Sequence, residues 1–533
     1  MCAKGGMEAS RSVHIWEWKE RKKEMAQQNK LFQNTALRSD APVASSASPE
    51  AELISETYVP RTMPPVLGTW SMTATFVICI YLASSATTAA SGGPAAFTYL
   101  LLGCVTFFIP SLVATAQLGV MFPHEGALYN WTHKAFGGFW SFFSGFCAWF
   151  PGVLITASFA DLLVSYLQSM NSAWLALPWQ QGLTICAVLA CVGFISMQRF
   201  ITVRNIVNVL VGVMLFSNLL IGLSCLVWLL QGHGSATNFS HWGDWSINPG
   251  NISLFGLIVF TYIGTEGPLN LAGEMTNSGA IKRHLLWGAL IIFSIYMVST
   301  FSVLVVEGQA AVNNPYALVM TVDKVLGHGW GSLTAIGLMG SFLAEGMAYN
   351  YVFARLLMVA GLDGRLPTSI AKLNKHRVPT NAIFFQTVLG IIVTLIGFVL
   401  VPSISFLGAP SDLSLDAYNV TQAAATLVWA ISTLFLFLNI VGCYRRYRSL
   451  VLNVRIVPMP VLWLSIIVGV LSCLAGIVDT LWYSWLTQIT NEQWRYIVGS
   501  LTMAFLFLAI IGSLLANSEA EWEKDTRAVK RTQ

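Results

Sequence analysis

The chain has 533 residues, of which 55% are hydrophobic and only 10% are charged. An ordinary soluble domain carries about 25% charged residues, so this composition favours a multi-pass membrane protein. The net charge of +4 is too small to indicate nucleic acid as a partner, and the chain has no basic helix of the kind that reads DNA.

The two ends of the chain are polar. Residues 1–64 are too poor in apolar side chains to fold alone, so we expect a solvated cytoplasmic tail there. A short surface helix around VHIWEWKERKKEM is the alternative for part of it. Residues 517–533 are expected to form a second cytoplasmic tail, which leaves residues 65–516 as the transmembrane domain.

A membrane-spanning helix needs about 20 mostly apolar residues, and twelve segments of the chain meet this requirement. Segments 1 to 12 lie at 66–90, 95–122, 139–167, 178–198, 205–230, 251–275, 285–306, 331–358, 381–402, 421–443, 459–483 and 494–516. With the N-terminus in the cytoplasm, 27 of the 29 lysines and arginines fall on the inner side, all except Lys324 and Arg495. Because positive charge stays inside, both termini are predicted to be cytoplasmic.

Segment 6 contains FTYIGTEGPLNLAGEM, which places helix breakers and acids where lipid would otherwise surround an apolar helix. Proline removes a backbone hydrogen bond, and unpaired backbone groups survive in a membrane only beside protein or a water cavity. Residues 264–268 therefore predict an unwound joint between two half-helices, the arrangement with which many secondary transporters hold substrates and ions. Glu266 is expected to face a cavity or a partner, since an acid at the bilayer centre is costly. The alternative is a kinked helix whose glutamate is satisfied by neighbouring hydroxyls.

The segment count suggests an internal repeat. Segments 1–5 (66–230) and 6–10 (251–443) would form two repeats, the second inverted because five is odd. Segments 11 and 12 (459–516) follow them. Segment 1, the counterpart of segment 6, is polar in its outer half but has no glycine or proline in its middle.

Several motifs resemble, in the same order, those of the amino acid–polyamine–organocation superfamily of transporters. FPHEGALYNWTHKAFGGF, FTYIGTE, AGEM and ARLLMVAGLDGRLP resemble its Pro-x-x-Gly-Gly-x-Tyr, Phe-x-Tyr-x-Gly-x-Glu, Gly-Glu and Arg…Asp-Gly-x-Leu-Pro patterns. SGGPAAF after segment 1 and RVPTNAI before segment 9 resemble two more. The resemblance covers about residues 60–515. It implies an all-α integral membrane protein of the leucine-transporter type, with twelve transmembrane helices, a 5+5 inverted repeat and breaks in helices 1 and 6.

The resemblance also implies a function. We expect secondary active transport of amino acids or related amines across the plasma membrane by alternating access, driven by protons, sodium or exchange. Membrane lipid is the other expected partner, and no catalytic residue, cofactor or metal site is predicted. The substrate would lie between segments 1, 3, 6, 8 and 10. The candidate substrate-binding residues are Cys79, Ser84, Trp149, Tyr262, Ile263, Gly264, Thr265 and Glu266.

Two departures from the superfamily concern the substrate and the coupling ion. Relatives have a Gly-Ser-Gly turn in segment 1 whose bare N–H groups receive a substrate carboxylate. Counting back from Gly92 and Gly93 places Cys79 and its isoleucine neighbours there instead, with Ser84 and Ser85 as the nearest small polar pair. The carboxylate site is therefore displaced or altered. Segment 5 also lacks the lysine that some proton-coupled members carry.

Glu345, inside segment 8, is the candidate carrier of the coupling proton. It lies ten residues before Arg355, in a stretch that faces the cation site in relatives. A buried carboxylate can exchange protons near neutral pH. The alternative is a structural glutamate that is bonded to hydroxyls or to a basic group.

The inner gate has two candidate residues, Arg355 and Asp363, which would pair with each other. Arg355 also follows from the positive-inside bias without any function. Glu274 is expected at the inner membrane surface, beside Lys282 and Arg283.

The competing function is a membrane receptor that binds an amino acid without net transport and signals through its N-terminal tail. An enzyme is not predicted, because the chain contains neither an HExxH metal motif nor a GxSxG elbow.

Overall fold

The computed structural model describes residues 53–532 except positions 172, 278, 312–313, 401–409 and 486–488. Residues 1–52, with the alternative surface helix, lie outside the described residues. Residues 53–64, predicted as part of a solvated tail, contain a folded helix whose Val59 is buried.

The described residues form helices and no β-strand; a single isolated bridge joins Leu67 to Met275. The helices are α1 Ile54–Thr62, α2 Thr69–Ile80, α3 Ala83–Ala89, α4 Ala95–Met121, α5 Ala127–Phe136, α6 Gly138–Met170, α7 Pro178–Ser196, α8 Phe200–Leu230, α9 Leu254–Phe260, α10 Gly279–Val306, α11 Ala317–Leu326, α12 His328–Leu362, α13 Thr380–Leu400, α14 Pro410–Arg446, α15 Arg448–Asn453, α16 Met459–Trp482 and α17 Asn491–Thr532. A 3₁₀ turn, Gly267–Glu274, follows α9.

The predicted segments coincide with these helices. Among the described residues, nine segments match a helix long and apolar enough to cross a membrane: segments 2–5, 7 and 9–12. Segment 1 matches α2 and α3, which are bent by 48° at their junction. Segment 6 falls on α9 and the 3₁₀ turn, and segment 8 on the 35-residue α12. The all-helical membrane fold is confirmed, while the count of twelve spans, the repeat and the sides of the termini stay predictions.

Segment 1 is broken without glycine or proline. Tyr81 and Leu82 have extended backbone between α2 and α3. The Tyr296 hydroxyl donates to the Ile80 carbonyl (2.9 Å) and accepts from the Leu82 N–H (3.0 Å). One tyrosine of α10 thus satisfies a backbone group on each side of the break, as buried polar groups require.

Segment 6 is broken in the region where its glycines and proline predicted an unwound joint. Helix α9 ends at Phe260, and the backbone stays irregular until the 3₁₀ turn begins at Gly267. Gly264 has φ +99°, a conformation that side-chain-bearing residues rarely adopt. A Cβ there would lie 3.1 Å from Cζ2 of Trp429, so the indole of α14 packs directly on the joint.

Helix α12 runs through the centre of the molecule and contacts α2, α6 and α8. From Ala344 to Gly361 its side chains are buried. The side chains of Glu345 and Arg355 are therefore both surrounded by protein. Glu345 lies beside the breaks, and Arg355 lies nearer the end of α12 that is predicted to be cytoplasmic.

Candidate substrate and coupling site

Each of the two breaks is reached by a side-chain hydrogen bond from a neighbouring helix. The Tyr349 hydroxyl of α12 donates to the Cys79 carbonyl at 2.8 Å, at the end of α2. Trp429 Nε1 donates to Glu266 Oε1 at 3.1 Å, in the segment 6 joint. The other Glu266 oxygen, Oε2, is buried and has no hydrogen-bond partner among the described residues.

Glu345 is the second acid of the site. It is 1% exposed, and neither carboxylate oxygen has a hydrogen-bond partner in the part of the chain that the structure describes. Its charge acts on the Cys79 thiol and on the hydroxyls of Tyr81 and Tyr349. Among the described residues, no hydroxyl donates to the Glu345 carboxylate, so the structure does not support the alternative of a glutamate bonded to hydroxyls.

The surroundings of Cys79 and Tyr349 include both acids. Each of these two side chains interacts electrostatically with Glu345 and with Glu266. The Trp429 ring meets Tyr349 edge-on, with ring centroids 6.0 Å apart, and Phe353 at the same distance. The breaks, two acids and an aromatic wall therefore form one buried centre, which we call the central site.

The other candidates fall in different places. Ile263 and Gly264 belong to the joint, and the Thr265 hydroxyl shares a hydrogen bond of 2.9 Å with Thr115. Tyr262 stacks on Phe108, centroids 4.7 Å apart, and so packs toward α4.

Two further candidates contact neither acid. Ser84 is half-buried on α3, and its carbonyl accepts bonds from threonines of the same helix. Trp149 donates to Gln386 at 3.4 Å and stacks on Phe385, both on α13. No group of three or more His, Cys, Asp or Glu that could hold a metal ion occurs among the described residues.

Sequence reasoning missed three aromatic residues of the central site. Tyr296, Tyr349 and Trp429 lie in segments 7, 8 and 10, away from the segment ends. Aromatic residues with a polar atom are common at membrane interfaces, but a buried one needs a hydrogen-bond partner. Their position deep in apolar segments was the signal available in the sequence.

The end of α12 that is predicted to be cytoplasmic carries a buried ion-pair cluster. Arg355 Nε lies 2.6 Å from Glu274 Oε1 and 3.6 Å from Glu125 Oε1. Glu125 Oε2 also accepts from the Gly273 N–H at 2.8 Å. Burial raises the pKa of the Glu125 carboxyl well above its ordinary value, and repulsion from Glu274 raises it further. Glu125 was not among the sequence candidates.

Two predictions for this region are wrong: the Arg355–Asp363 pair and the surface position of Glu274. Arg355 does not pair with Asp363, because Asp363 accepts two hydrogen bonds of 3.0 Å from the Ser55 N–H and hydroxyl of α1. Glu274 does not lie at the surface beside Lys282. It is 1% exposed at the end of the 3₁₀ turn, where it meets Arg355.

Comparison with known proteins decides the family. The sequence profile of a family described as amino acid permease matches residues 67–484. The chain belongs to the amino acid permease family. This permease is accordingly a multi-pass integral membrane protein of the amino acid–polyamine–organocation superfamily, as its motifs predicted.

Several curated proteins are similar to this permease. An uncharacterized transporter of Legionella pneumophila is 25% identical over 361 residues, which are 64% of this chain and 75% of that protein. The rice polyamine transporter PUT1 is 27% identical over 53% of this chain and 52% of its own length. A probable agmatine/putrescine antiporter of Lactococcus lactis is 26% identical over 56% of this chain and 64% of its own length. The chain thus spans between half and two thirds of the two amine transporters.

Solved structures agree on the fold. A manganese transporter of Eremococcus coleocola superposes with a TM-score of 0.52 and covers 91% of this permease and 99% of its own chain. The two sequences are 13% identical, so this likeness concerns the fold alone.

Proposed function

We propose that this permease is a secondary active transporter of organic amines, including amino acids with a cationic side chain. The transport would proceed by alternating access around the breaks in segments 1 and 6. One observation carries the proposal: two buried carboxylates with unpaired oxygens flank the same centre. In this assignment the permease lies in the plasma membrane with both termini in the cytoplasm.

The unpaired oxygens favour a cationic cargo. A buried carboxylate is costly unless a proton, a cation or a hydrogen-bond donor compensates it. Glu345 offers two such oxygens and Glu266 one, so the central site suits molecules with one or two ammonium groups. The nearby aromatic rings add cation–π attraction.

The backbone supports the same cargo. The carbonyl of Cys79 is already bound by Tyr349, and the Leu82 N–H by Tyr296. With the Leu82 N–H already bound, the break in segment 1 offers one N–H group fewer to a substrate carboxylate. The names of the polyamine and agmatine/putrescine relatives agree with this reading.

The residues take separate roles in this proposal. Glu266 organises the joint and contacts the cargo, while Glu345 carries the coupling proton or exchanges it for the cargo's ammonium group. Backbone groups of residues 79–84 and 263–266 contact the cargo's polar ends. The Arg355 cluster, together with Asp363, closes the inner gate.

The first experiment is uptake by the purified permease in liposomes. Labelled putrescine, spermidine, agmatine, arginine, leucine and glutamate are supplied with and without a proton gradient, in the absence of sodium. We expect amine or arginine uptake that a proton gradient or preloaded amine stimulates. Uptake of leucine or glutamate alone would contradict the amine assignment. Binding of a compound without any uptake would favour the receptor function.

The second experiment tests Glu345. Glu345→Gln should abolish proton-driven uptake while the permease still inserts and binds cargo, because the amide cannot exchange a proton. Ser341→Ala, one turn away on α12 and also buried, is the matched control and should leave uptake near the native rate. Gradient-driven uptake by Glu345→Gln at the native rate would remove this residue from the coupling mechanism.

A further inference from the structure

A second cavity, of about 380 Å³, is lined by neither acid of the central site and by no residue of the two breaks. It lies between α6, the inner end of α12, the loop after α12, α13 and α17. We call it the lateral cavity. Its walls are mainly apolar and aromatic, including Phe142, Phe146, Trp149, Phe385 and Leu515.

Arg365 places a positive charge in this cavity. Its side chain is buried (7% exposed), and Nε has no hydrogen-bond partner among the described residues. Nη1 has a long hydrogen bond, 3.4 Å, to Asn517 Oδ1. The guanidinium lies against Gly138, where any Cβ would overlap it. The fold thus accommodates the Arg365 guanidinium, whose hydrogen-bond donors are only partly paired within the described residues.

Glu519 of α17 lines the same cavity and is exposed. Arg365 and Glu519 do not form an ion pair with each other, although both border the cavity. Asp363, two residues before Arg365, is hydrogen-bonded by Ser55 and also interacts electrostatically with Arg365. Among the described residues, the cavity thus presents a guanidinium with an unpaired Nε and an exposed carboxylate that is not paired with it.

Arg365, which lies against Gly138, and Trp149 are separated along α6 by about the thickness of one leaflet. Trp149 lies eleven residues beyond Gly138, the first residue of α6, which corresponds to about 16 Å along a helix. Half of the hydrocarbon core of a bilayer is about 15 Å. The charged groups lie at the inner end of these helices and the aromatic groups extend toward the membrane centre.

We propose that the lateral cavity binds one phosphatidylethanolamine molecule of the inner leaflet. An acyl chain packs among the aromatic side chains, the phosphate accepts from Arg365, and the ammonium group donates to Glu519. Arg suits phosphate because its planar fork of donors matches the oxygens, and basic pockets between membrane helices bind lipid head groups. Phosphatidylcholine has no N–H donor for Glu519, and phosphatidylglycerol has no ammonium group.

The test measures lipid retained by the full-length permease after purification from nanodiscs. Equal parts of phosphatidylethanolamine, phosphatidylcholine and phosphatidylglycerol are supplied, and bound lipid is identified by native mass spectrometry. We expect one phosphatidylethanolamine per chain, enriched about tenfold over phosphatidylcholine, since a charged hydrogen bond is lost with the latter. Equal retention of the three lipids would overturn the proposal.

Variants test the phosphate contact and the ammonium contact of the lipid head group separately. Arg365→Gln should lower retention of every phospholipid about tenfold or more, whereas Glu519→Gln should remove only the preference for phosphatidylethanolamine. Leu515→Trp, at an exposed position of α17, fills the cavity from its wall and should exclude lipid without disturbing the core. Lys372→Gln, an exposed cation outside the cavity, is the control. Unchanged phosphatidylethanolamine retention in both Arg365→Gln and Leu515→Trp would place the lipid elsewhere.

Discussion

At the scale of single residues, the two oxygens of Glu266 have different environments. Oε1 accepts from Trp429 Nε1, while Oε2 has no partner among the described residues. Because the same indole covers Gly264, this hydrogen bond ties α14 to the segment 6 joint. The structural role and the proposed cargo-binding role therefore belong to different atoms of one side chain.

Two substitutions distinguish these roles. In Glu266→Gln the amide oxygen can still accept from Trp429, but the charge is lost. We expect a ten- to hundredfold higher KM for a diamine with the fold retained, since a charged hydrogen bond contributes about 1.5–3 kcal/mol. Glu266→Ala should impair transport of every cargo, because it also leaves the indole N–H unpaired. Uptake assays with both variants check this; an unchanged KM in Glu266→Gln would leave Glu266 with the structural role alone.

At the scale of elements, the outer half of segment 6 depends on a neighbouring helix. Helix α9 has seven residues, too few for a stable isolated helix. Asp479 Oδ2 of α16 accepts from the Gly256 N–H at 2.7 Å. A Cβ on Gly256 would lie 3.0 Å from the Gly476 carbonyl oxygen, so the two helices are in close contact. Helix α16, outside the proposed repeat, thus holds a half-helix of the central site.

Removing this carboxylate should loosen α9. Asp479→Ala leaves the Gly256 N–H without its partner, a loss of about 1–3 kcal/mol. We expect a lower melting temperature and faster amide exchange in α9. Thr480→Val is the matched control, because the neighbouring Thr480 hydroxyl is buried and unpaired among the described residues. Equal exchange in α9 of both variants would show that helix packing alone holds it.

At the scale of the whole molecule, α1 connects several elements on the side that is predicted to be cytoplasmic. Ser55 binds Asp363 after α12, and Glu56 meets Lys134 (3.0 Å) and Asn130 (2.8 Å) of α5. Just beyond α1, the N–H groups of residues 66 and 67 donate to the carbonyl of Glu274, each at 2.9 Å. Release of the inner gate would therefore require α1 to detach from at least part of this face.

The contact between α1 and Asp363 should depend on pH. Burial raises the pKa of the Asp363 carboxyl to about 6, and the hydrogen bonds from Ser55 lower it only in part. An exposed aspartate has a pKa near 3.9, so the closed state binds the proton more tightly than a state that exposes Asp363. The resulting stabilisation is complete below about pH 4 and is lost as the pH rises through 6.

Hydrogen exchange measures this dependence. Protection of α1 amides, corrected for intrinsic exchange rates, should fall between about pH 4 and pH 6 and then level off. Asp363→Asn cannot ionise and should show constant protection over this range. Asp244→Asn, at an exposed position on an outer loop, should behave like the native permease. A fall of the same size in Asp363→Asn would assign the pH dependence to another group.

The central site shows how far single residues can be predicted. Glu266 and Glu345 stood out because acids are rare in apolar segments, and both are buried beside the breaks. Their unpaired oxygens could not be foreseen, because hydrogen bonding depends on residues far away in the chain, such as Trp429. The ion pair of Arg355 was misassigned for the same reason, since Glu125 lies 230 positions away in sequence.

The sequence by itself determined the apolar segments and the break in segment 6, because hydrophobicity, glycine conformation and the missing N–H of proline are local properties. The resemblance implied a break in segment 1, but only the tertiary structure decided its place and its cause. There the backbone leaves the helix at Tyr81 without glycine or proline, and the groups it exposes are satisfied by Tyr296 from another helix. A break of this kind is stable only when distant parts of the chain supply the hydrogen bonds that the helix gives up.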